Sequence, residues 1–328
     1  MMIKSLYVAS IDAKTLLGLI PAVLGYFFFY RIKSSKMEHS DQVIEGVRVE
    51  YPPLAPIGII QWLRARLKRD YPVQTLQWCR QIDSPVYLIK TLKMQTVVHT
   101  NDCHFVRQVL KDKGTTKPTT YKVLQDAFHN GGDDVLTSDG LFWKHSRKSI
   151  SPAFSPNHLK RMTETVKSKT EDFIKDRLDP MAEKGESIDV CKEMIDLTLS
   201  IISEAAFEYE ISDDEKETFI KGIAVTLAEA TKCIAYPLRS RFGRYILPEA
   251  KEAHLAAMRL LELGTTILQS YRATDNPTKG TVIDQIARNT SYDKERVSDI
   301  LISFFPGHDT TGLSTSWILL ELAKKPHE

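Results

Sequence analysis

The sequence predicts a mainly α-helical protein with one small β element. Several segments begin with a capping residue or a proline and end at glycine or proline, which is typical of helices. Residues 85–100 are instead rich in Val, Ile, Tyr and Thr, which favours two strands joined by a turn near Leu92 and Lys93. The chain has 328 residues, 42% of them hydrophobic, so it is long enough to bury a sizeable core.

The N-terminal segment has the pattern of a membrane helix. Residues 15–32 carry no charge before Arg31 and are about as long as the shortest helix that spans a bilayer. Lys33 and Lys36 follow, and positive charge favours the cytosolic side. A cleaved signal peptide is less favoured because the charge follows the apolar run and no small-residue cleavage site is clear; a buried helix is a third alternative. We expect residues 1–33 to be a signal-anchor.

The remaining chain divides into a linker and a helical body. Residues 34–58 form a polar linker that ends in a Pro-rich hinge, "YPPLAPIG", and residues 59–328 form one large domain. Asn101 or Asp102 caps one helix, and Ser155, Pro156 and Gly185 mark the ends of a long one. The predicted helices cover about residues 72–82, 101–112, 138–151, 155–185, 189–207, 213–234 and 248–272, and a last one begins near 291.

Charge and cysteine content exclude some functions. The formal net charge is +2, which does not indicate nucleic acid as a partner. The four cysteines are scattered without a CxxC pair, so their spacing indicates neither a zinc site nor a disulfide framework. They are typical of free thiols in a reducing compartment.

A first polar cluster lies in "SDGLFWKHSRKSISPAFS". A helix capped by Ser138 or Asp139 places Trp143 and Arg147 one turn apart on one face, and it ends before Pro152. These two side chains are either a packed Trp with an Arg stem along it, or a clamp that aims an indole N–H and a guanidinium at one carboxylate.

A second polar cluster interrupts the apolar run "FFPGHDTTGLSTSW". In one interpretation Asp309 or Thr310 is only the N-cap of a helix through "STSWILLELAKK". In the other these groups carry chemistry, since an acid beside a hydroxyl is suited to moving protons.

The order of these features resembles one family. An N-terminal anchor, a Pro-rich hinge, W-x-x-x-R at 143–147 and G-x-D-T-T at 307–311 occur in this order in microsomal cytochromes P-450, which are haem-thiolate monooxygenases. The amino-acid sequence around both motifs resembles that of fungal members, and the resemblance covers nearly the whole chain. Each motif alone is weak evidence for the family, but their order and spacing together make the match strong.

The resemblance implies a role for each matching residue. Trp143 and Arg147 would bind a haem propionate. Gly307, Asp309 and Thr310 match a kinked helix over the haem, where the glycine leaves room for dioxygen, Thr310 hydrogen-bonds it and Asp309 supplies protons. This helix would open locally at Gly307 and Thr310. His308 is expected to face away from the haem, and Pro306 departs from the commoner Ala.

The resemblance also implies what lies outside the chain. The family's E-x-x-R pair and its Phe-Gly-rich loop with the axial Cys ligand are not found in the sequence, so we expect an N-terminal fragment without a metal ligand, inactive by itself. The complete protein would use haem, electrons from NADPH through a reductase partner, and a small lipophilic substrate at the endoplasmic reticulum membrane. Substrate would meet the segment before the Trp143 helix and the helices near Thr226 and Ile246. A non-catalytic, membrane-tethered helical protein and an unrelated anchored adaptor are the alternatives.

Overall fold

The structure is a computed structural model. It describes residues 42–44, 47–49, 52–55, 61, 71–90, 96–112, 116–129, 132–288 and 292–325. The predicted signal-anchor, residues 1–33, lies outside the described residues. Within these ranges no helix combines the length and the apolarity that a membrane span requires.

The described residues up to Asp112 belong to a first compact unit. Its described residues form two antiparallel strand pairs and two helices: β1 (Gln42–Ile44) with β2 (Val47–Val49), β3 (Val86–Lys90) with β4 (Thr96–Thr100), α1 (Tyr71–Ile82) and α2 (Cys103–Lys111). The two predicted strands and both helices are confirmed, and Asp102 is the N-cap of α2. The predicted turn between β3 and β4 lies outside the described residues. The first strand pair lies within the predicted polar linker and was not predicted, because strands of three residues are too short to give a periodic signal.

Residues from Thr116 form a second, helical unit. Its helices are α3 (Thr119–His129), α4 (Gly140–Ile150), α5 (Pro156–Phe173), α6 (Asp179–Lys184), α7 (Val190–Phe207), α8 (Asp213–Ala235), α9 (Pro237–Ile246), α10 (Pro248–Ala273), α11 (Val282–Arg288) and α12 (Asp293–Ala323). The sequence prediction did not include α3, α9 and α11. Asp189 caps α7 by accepting from the Lys192 amide, and Ser212 and Glu215 form a capping box on α8.

The long helix predicted over residues 155–185 contains a π-helical turn. Residues Ile174–Leu178 adopt this turn between α5 and α6, and Gly185 ends the helix at a φ of 68°. Pro180 has no N–H and its ring crowds the carbonyl four residues earlier, so an α-helix cannot continue through it unchanged. A wider turn just before the proline accommodates that clash.

The core of the second unit centres on the first half of α12. Phe304 is fully buried, and its ring stacks on Phe207 at 4.2 Å between centroids and meets Phe219 at 5.6 Å. These rings come from α12, α7 and α8, so the aromatic cluster fixes the position of α12 along its axis relative to α7 and α8.

Candidate active site

The start of α12 decides between the two interpretations of the second polar cluster. The helix begins at Asp293, and the Glu295 carboxylate accepts from the Tyr292 amide 3.2 Å away. Asp309 and Thr310 therefore lie about four turns inside the helix. The interpretation of either residue as an N-cap is wrong, because the amides of an interior turn already have carbonyl partners.

Thr310 lies on an exposed side of this helix. Its hydroxyl donates to the Pro306 carbonyl at 2.7 Å, and Asp309 beside it is half-buried. Pro306 has no N–H to donate to the carbonyl one turn earlier. Residues 293–323 are nevertheless helical without a break, so the local opening expected at Gly307 and Thr310 is absent from this helix.

Gly307 faces another helix. A β-carbon on Gly307 would lie 3.0 Å from Cγ1 of Ile202 on α7, and one on Gly312 would lie 3.0 Å from the Ile195 Cα. The Thr198 hydroxyl on α7 donates to the His308 carbonyl at 2.9 Å. Glycine at 307 therefore allows the close packing of α12 on α7.

His308 is a core residue. It is 2% exposed, its Nδ1 lies 3.0 Å from the Phe304 carbonyl, and its ring meets Phe219 edge-on. Burial lowers the pKa of His308, because the charged imidazolium is poorly solvated there. Thr310 lies two residues on, about 200° around the helix axis, on an exposed side.

The first polar cluster lies on the exposed face of α4. Ser146 and Ile150 are buried on one side of this helix, whereas Trp143 is 40% exposed and Arg147 is exposed. Within the ranges that the structure describes, neither the Trp143 indole N–H nor the Arg147 guanidinium has a hydrogen-bond or ion-pair partner. The two donors are therefore available to an anion, and the packed-core alternative does not describe them.

Lys117 adds a positive charge beside Trp143 that the local sequence pattern did not indicate. Its ammonium lies 5.7 Å from the centroid of the Trp143 ring and donates to the carbonyls of Val135 and Ser138. Burial lowers the pKa of Lys117, although the Asp139 and Asp134 carboxylates oppose that shift. The contacts span 18 and 21 residues, so no local pattern could have predicted them.

Both polar clusters belong to the second unit. The helix α11 contacts both α4 and α12, and the Val135 amide donates to the Asp299 carboxylate of α12 at 2.7 Å. Trp143 and Arg147 on α4 and Gly307, Asp309 and Thr310 on α12 are therefore held by one packed framework.

Comparisons with known proteins agree with the family resemblance that the two motifs indicate. The sequence model of the cytochrome P450 family matches residues 50–327.

The chain belongs to the cytochrome P450 family.

Relatives of this cytochrome P450 chain occur in plants and animals. It is 28% identical to a cytokinin hydroxylase of Arabidopsis thaliana over 209 residues, 60% of this chain and 39% of that protein. It is 24% identical to human cytochrome P450 4F8 over 287 residues, 80% of this chain and 52% of that protein. The chain thus spans about half the length of the curated relatives it matches.

Solved cytochrome P450 structures share the fold. The haem domain of cytochrome P450DA superposes with a TM-score of 0.64 at 20% identity, over 85% of this chain and 62% of that one. A cytochrome P450 OleT variant in complex with arachidonic acid superposes with a TM-score of 0.66 at 14% identity, over 84% and 62% of the two chains.

The residues of this cytochrome P450 chain fit the haem that the family implies. A haem propionate is a carboxylate, and two donors without a protein partner, Trp143 and Arg147, stand one turn apart on an exposed face. The Lys117 ammonium adds positive charge beside them.

Proposed function

We propose that this chain is part of a membrane-anchored cytochrome P450 monooxygenase that inserts one oxygen atom from O2 into a lipophilic organic substrate. The observation that carries the proposal is the pair of unpartnered donors, Trp143 and Arg147, in the same packed unit as the exposed Thr310. Haem, when bound, supplies the activation of dioxygen.

The reaction explains why an acid and a hydroxyl are needed together. One oxygen atom enters the substrate and the other leaves as water. This consumes two electrons, which NADPH would supply through a reductase partner, and two protons, which must reach the site from solvent. The half-buried Asp309 provides a carboxyl group for proton transfer, and the neighbouring Thr310 hydroxyl can both accept and donate a hydrogen bond. Thr310 now donates to the Pro306 carbonyl, and rotation about χ1 would redirect its hydroxyl.

A lipophilic substrate is supported by the region around α9. Phe242, Tyr245 and Ile246 expose 48%, 71% and 73% of their surface. Nearby, a cavity of about 80 Å³ lies between α3, α8, α9 and α10, and the Thr226 hydroxyl is buried there without a partner in the described structure. The lining of this cavity is mostly polar and includes Asp126, Arg239 and His254, so the support for a lipophilic substrate comes from the exposed apolar side chains of α9.

Haem retention tests the proposed clamp. In the chain completed with the remaining half of the family's domain, we expect Trp143→Phe and Arg147→Ala each to speed haem loss to apomyoglobin about 10- to 100-fold, because each removes a hydrogen bond to a charged group. Lys148→Ala, also exposed on α4, is the control. Unchanged haem loss in both variants would contradict the clamp.

Membrane attachment tests the proposed location. We expect residues 15–32 to keep the chain in microsomes after carbonate extraction, and we expect added protease to digest the body, which would face the cytosol. Deletion of residues 1–33 should release the chain. Recovery of the intact chain in the carbonate supernatant, or protection of the body inside the vesicles, would refute the anchor and its orientation.

A further inference from the structure

One buried hydrogen bond joins α12 to the turn before α4. The Val135 amide donates to Asp299 Oδ1 at 2.7 Å, across 164 residues of sequence. Asp299 is 1% exposed. Removing a carboxyl group from water costs free energy unless it is hydrogen-bonded, so the Val135 amide strongly favours this position of the Asp299 side chain.

The turn itself is closed by its own residues. The Asp134 carboxylate accepts from the amides of Leu136 and Thr137, each at 2.7 Å, and the Ser138 amide donates to the Asp134 carbonyl at 3.1 Å. The segment 134–138 therefore moves as one piece. The Val135 amide points out of the turn and is the group that Asp299 holds.

The same turn is connected to the Trp143 ring. The Lys117 ammonium donates to the Val135 carbonyl at 3.3 Å and to the Ser138 carbonyl at 2.5 Å. It also lies 5.7 Å from the centroid of the Trp143 ring. A continuous path of contacts thus runs from Asp299 through Val135 and Lys117 to Trp143.

We propose that Asp299 is a positioning residue, which through Val135 and Lys117 fixes the orientation of Trp143 relative to the helix that carries Asp309 and Thr310. The functional meaning of this orientation rests on the proposed haem clamp. The path itself consists of this chain's own contacts and can be tested without haem.

The charges around Asp299 make this path sensitive to pH. Burial raises the pKa of Asp299 to about 7; the Val135 amide opposes the shift, and the carboxylates of Asp134 in the turn and Glu295 on α12 increase it. The folded-state pKa of Asp299 lies above the ordinary value of 3.8. The contribution of protonated Asp299 to the free energy of unfolding is therefore full below pH 3.8 and is lost as the pH rises through about 7. Asp299 therefore gains its charge next to Asp134 near neutral pH.

Fluorine NMR of the full chain in detergent tests the proposal. The chain has four tryptophans; 5-fluorotryptophan gives one signal for each, and Trp143→Phe assigns the one from Trp143. We expect the Trp143 signal to titrate with a midpoint near pH 7. Asp299→Asn should abolish the titration and keep the signal in place, because the amide oxygen still accepts from Val135.

Removing the acceptor should have a different effect. In Asp299→Ala we expect the Trp143 signal to move and the Val135 amide to exchange its hydrogen on the order of tenfold faster. Ser298→Ala is the matched control, because in the described part of the chain its buried hydroxyl bonds within α12, to the Lys294 carbonyl. It should leave the Trp143 signal unchanged.

Two results would overturn the proposal. One is an unmoved Trp143 signal in a folded Asp299→Ala variant, which would show that Asp299 only stabilises the fold. The other is a titration of the Trp143 signal that persists unchanged in Asp299→Asn, which decides the question even where Asp299→Ala does not fold. No sample contains haem, so failure of the haem clamp would appear in the haem-loss assay and not here.

Discussion

Replacing Thr310 by alanine in the completed chain is expected to release most reducing equivalents as hydrogen peroxide while substrate still binds. The Thr310 hydroxyl is exposed on α12 and its present bond, to the Pro306 carbonyl, is within its own helix. Its loss should therefore change stability by no more than about 0.5 kcal/mol. The measurement is peroxide formed per NADPH oxidised, together with the thermal midpoint.

Replacing Asp309 by asparagine should slow the same reaction without uncoupling it to the same degree. Removal of a positioned acid costs on the order of 10² to 10⁴ in rate, and we expect a larger solvent isotope effect because proton transfer becomes more limiting. Asparagine keeps the size of the side chain, so packing beside Gly307 and His308 should be unchanged.

Thr311 provides the matched control for both variants. It is exposed on the same helix, about 100° around the axis from Thr310. Thr311→Ala should keep normal coupling and rate. Thr310→Ala and Asp309→Asn could instead show a normal rate, normal coupling of NADPH oxidation to product formation, and lowered thermal midpoints. That result would mean that the two residues only stabilise the helix.

Replacing Arg239 by alanine is expected to give the largest loss of stability. Its guanidinium binds Glu229 through two hydrogen bonds, of 2.7 and 2.8 Å, and Glu249 through one of 3.1 Å. The Arg239 and Glu229 side chains are only 14% and 10% exposed. Removing the cation leaves the Glu229 charge buried and unpaired, which costs about 3–5 kcal/mol.

This network joins α8, α9 and α10, the helices around the proposed substrate region. The Glu229 hydrogen bonds raise the pKa of Arg239, so the guanidinium stays charged at every working pH. Urea unfolding measures the loss, and Lys167→Ala is the control. Lys167 pairs with Glu171 at 3.7 Å with both side chains largely exposed, which is worth no more than about 0.5 kcal/mol.

A second substitution separates charge burial from lost packing. Arg239→Ala combined with Glu229→Gln removes the unpaired charge and should recover part of the lost free energy of unfolding. A loss below about 1 kcal/mol in Arg239→Ala would mean that water reaches Glu229 and that the pair does not hold the three helices together.

Much of the fold follows from local sequence patterns. Asp102, Asp189 and Ser212 cap helices by accepting from amides two or three residues away, and Gly185 ends one with a positive φ. These signals act over a few residues, so they are legible without knowledge of the fold. The W-x-x-x-R pair is equally local, because one helical turn brings Trp143 and Arg147 to the same face.

The tertiary structure decided the surroundings of the predicted site. Whether Trp143 and Arg147 are packed or open, and whether Asp309 caps a helix or lies within one, depends on neighbours distant in sequence. The environment of Gly307 likewise comes from Ile202 on another helix.

The sequence by itself determined the family, the helical class and the residues of the two motifs, because each is encoded over a few residues or in the order of motifs. Only the tertiary structure revealed Lys117 beside Trp143 and Asp299 beneath Val135. The physical reason is range: a cap or a helical turn is fixed by covalent geometry, whereas a contact across 164 residues exists only after the chain has packed.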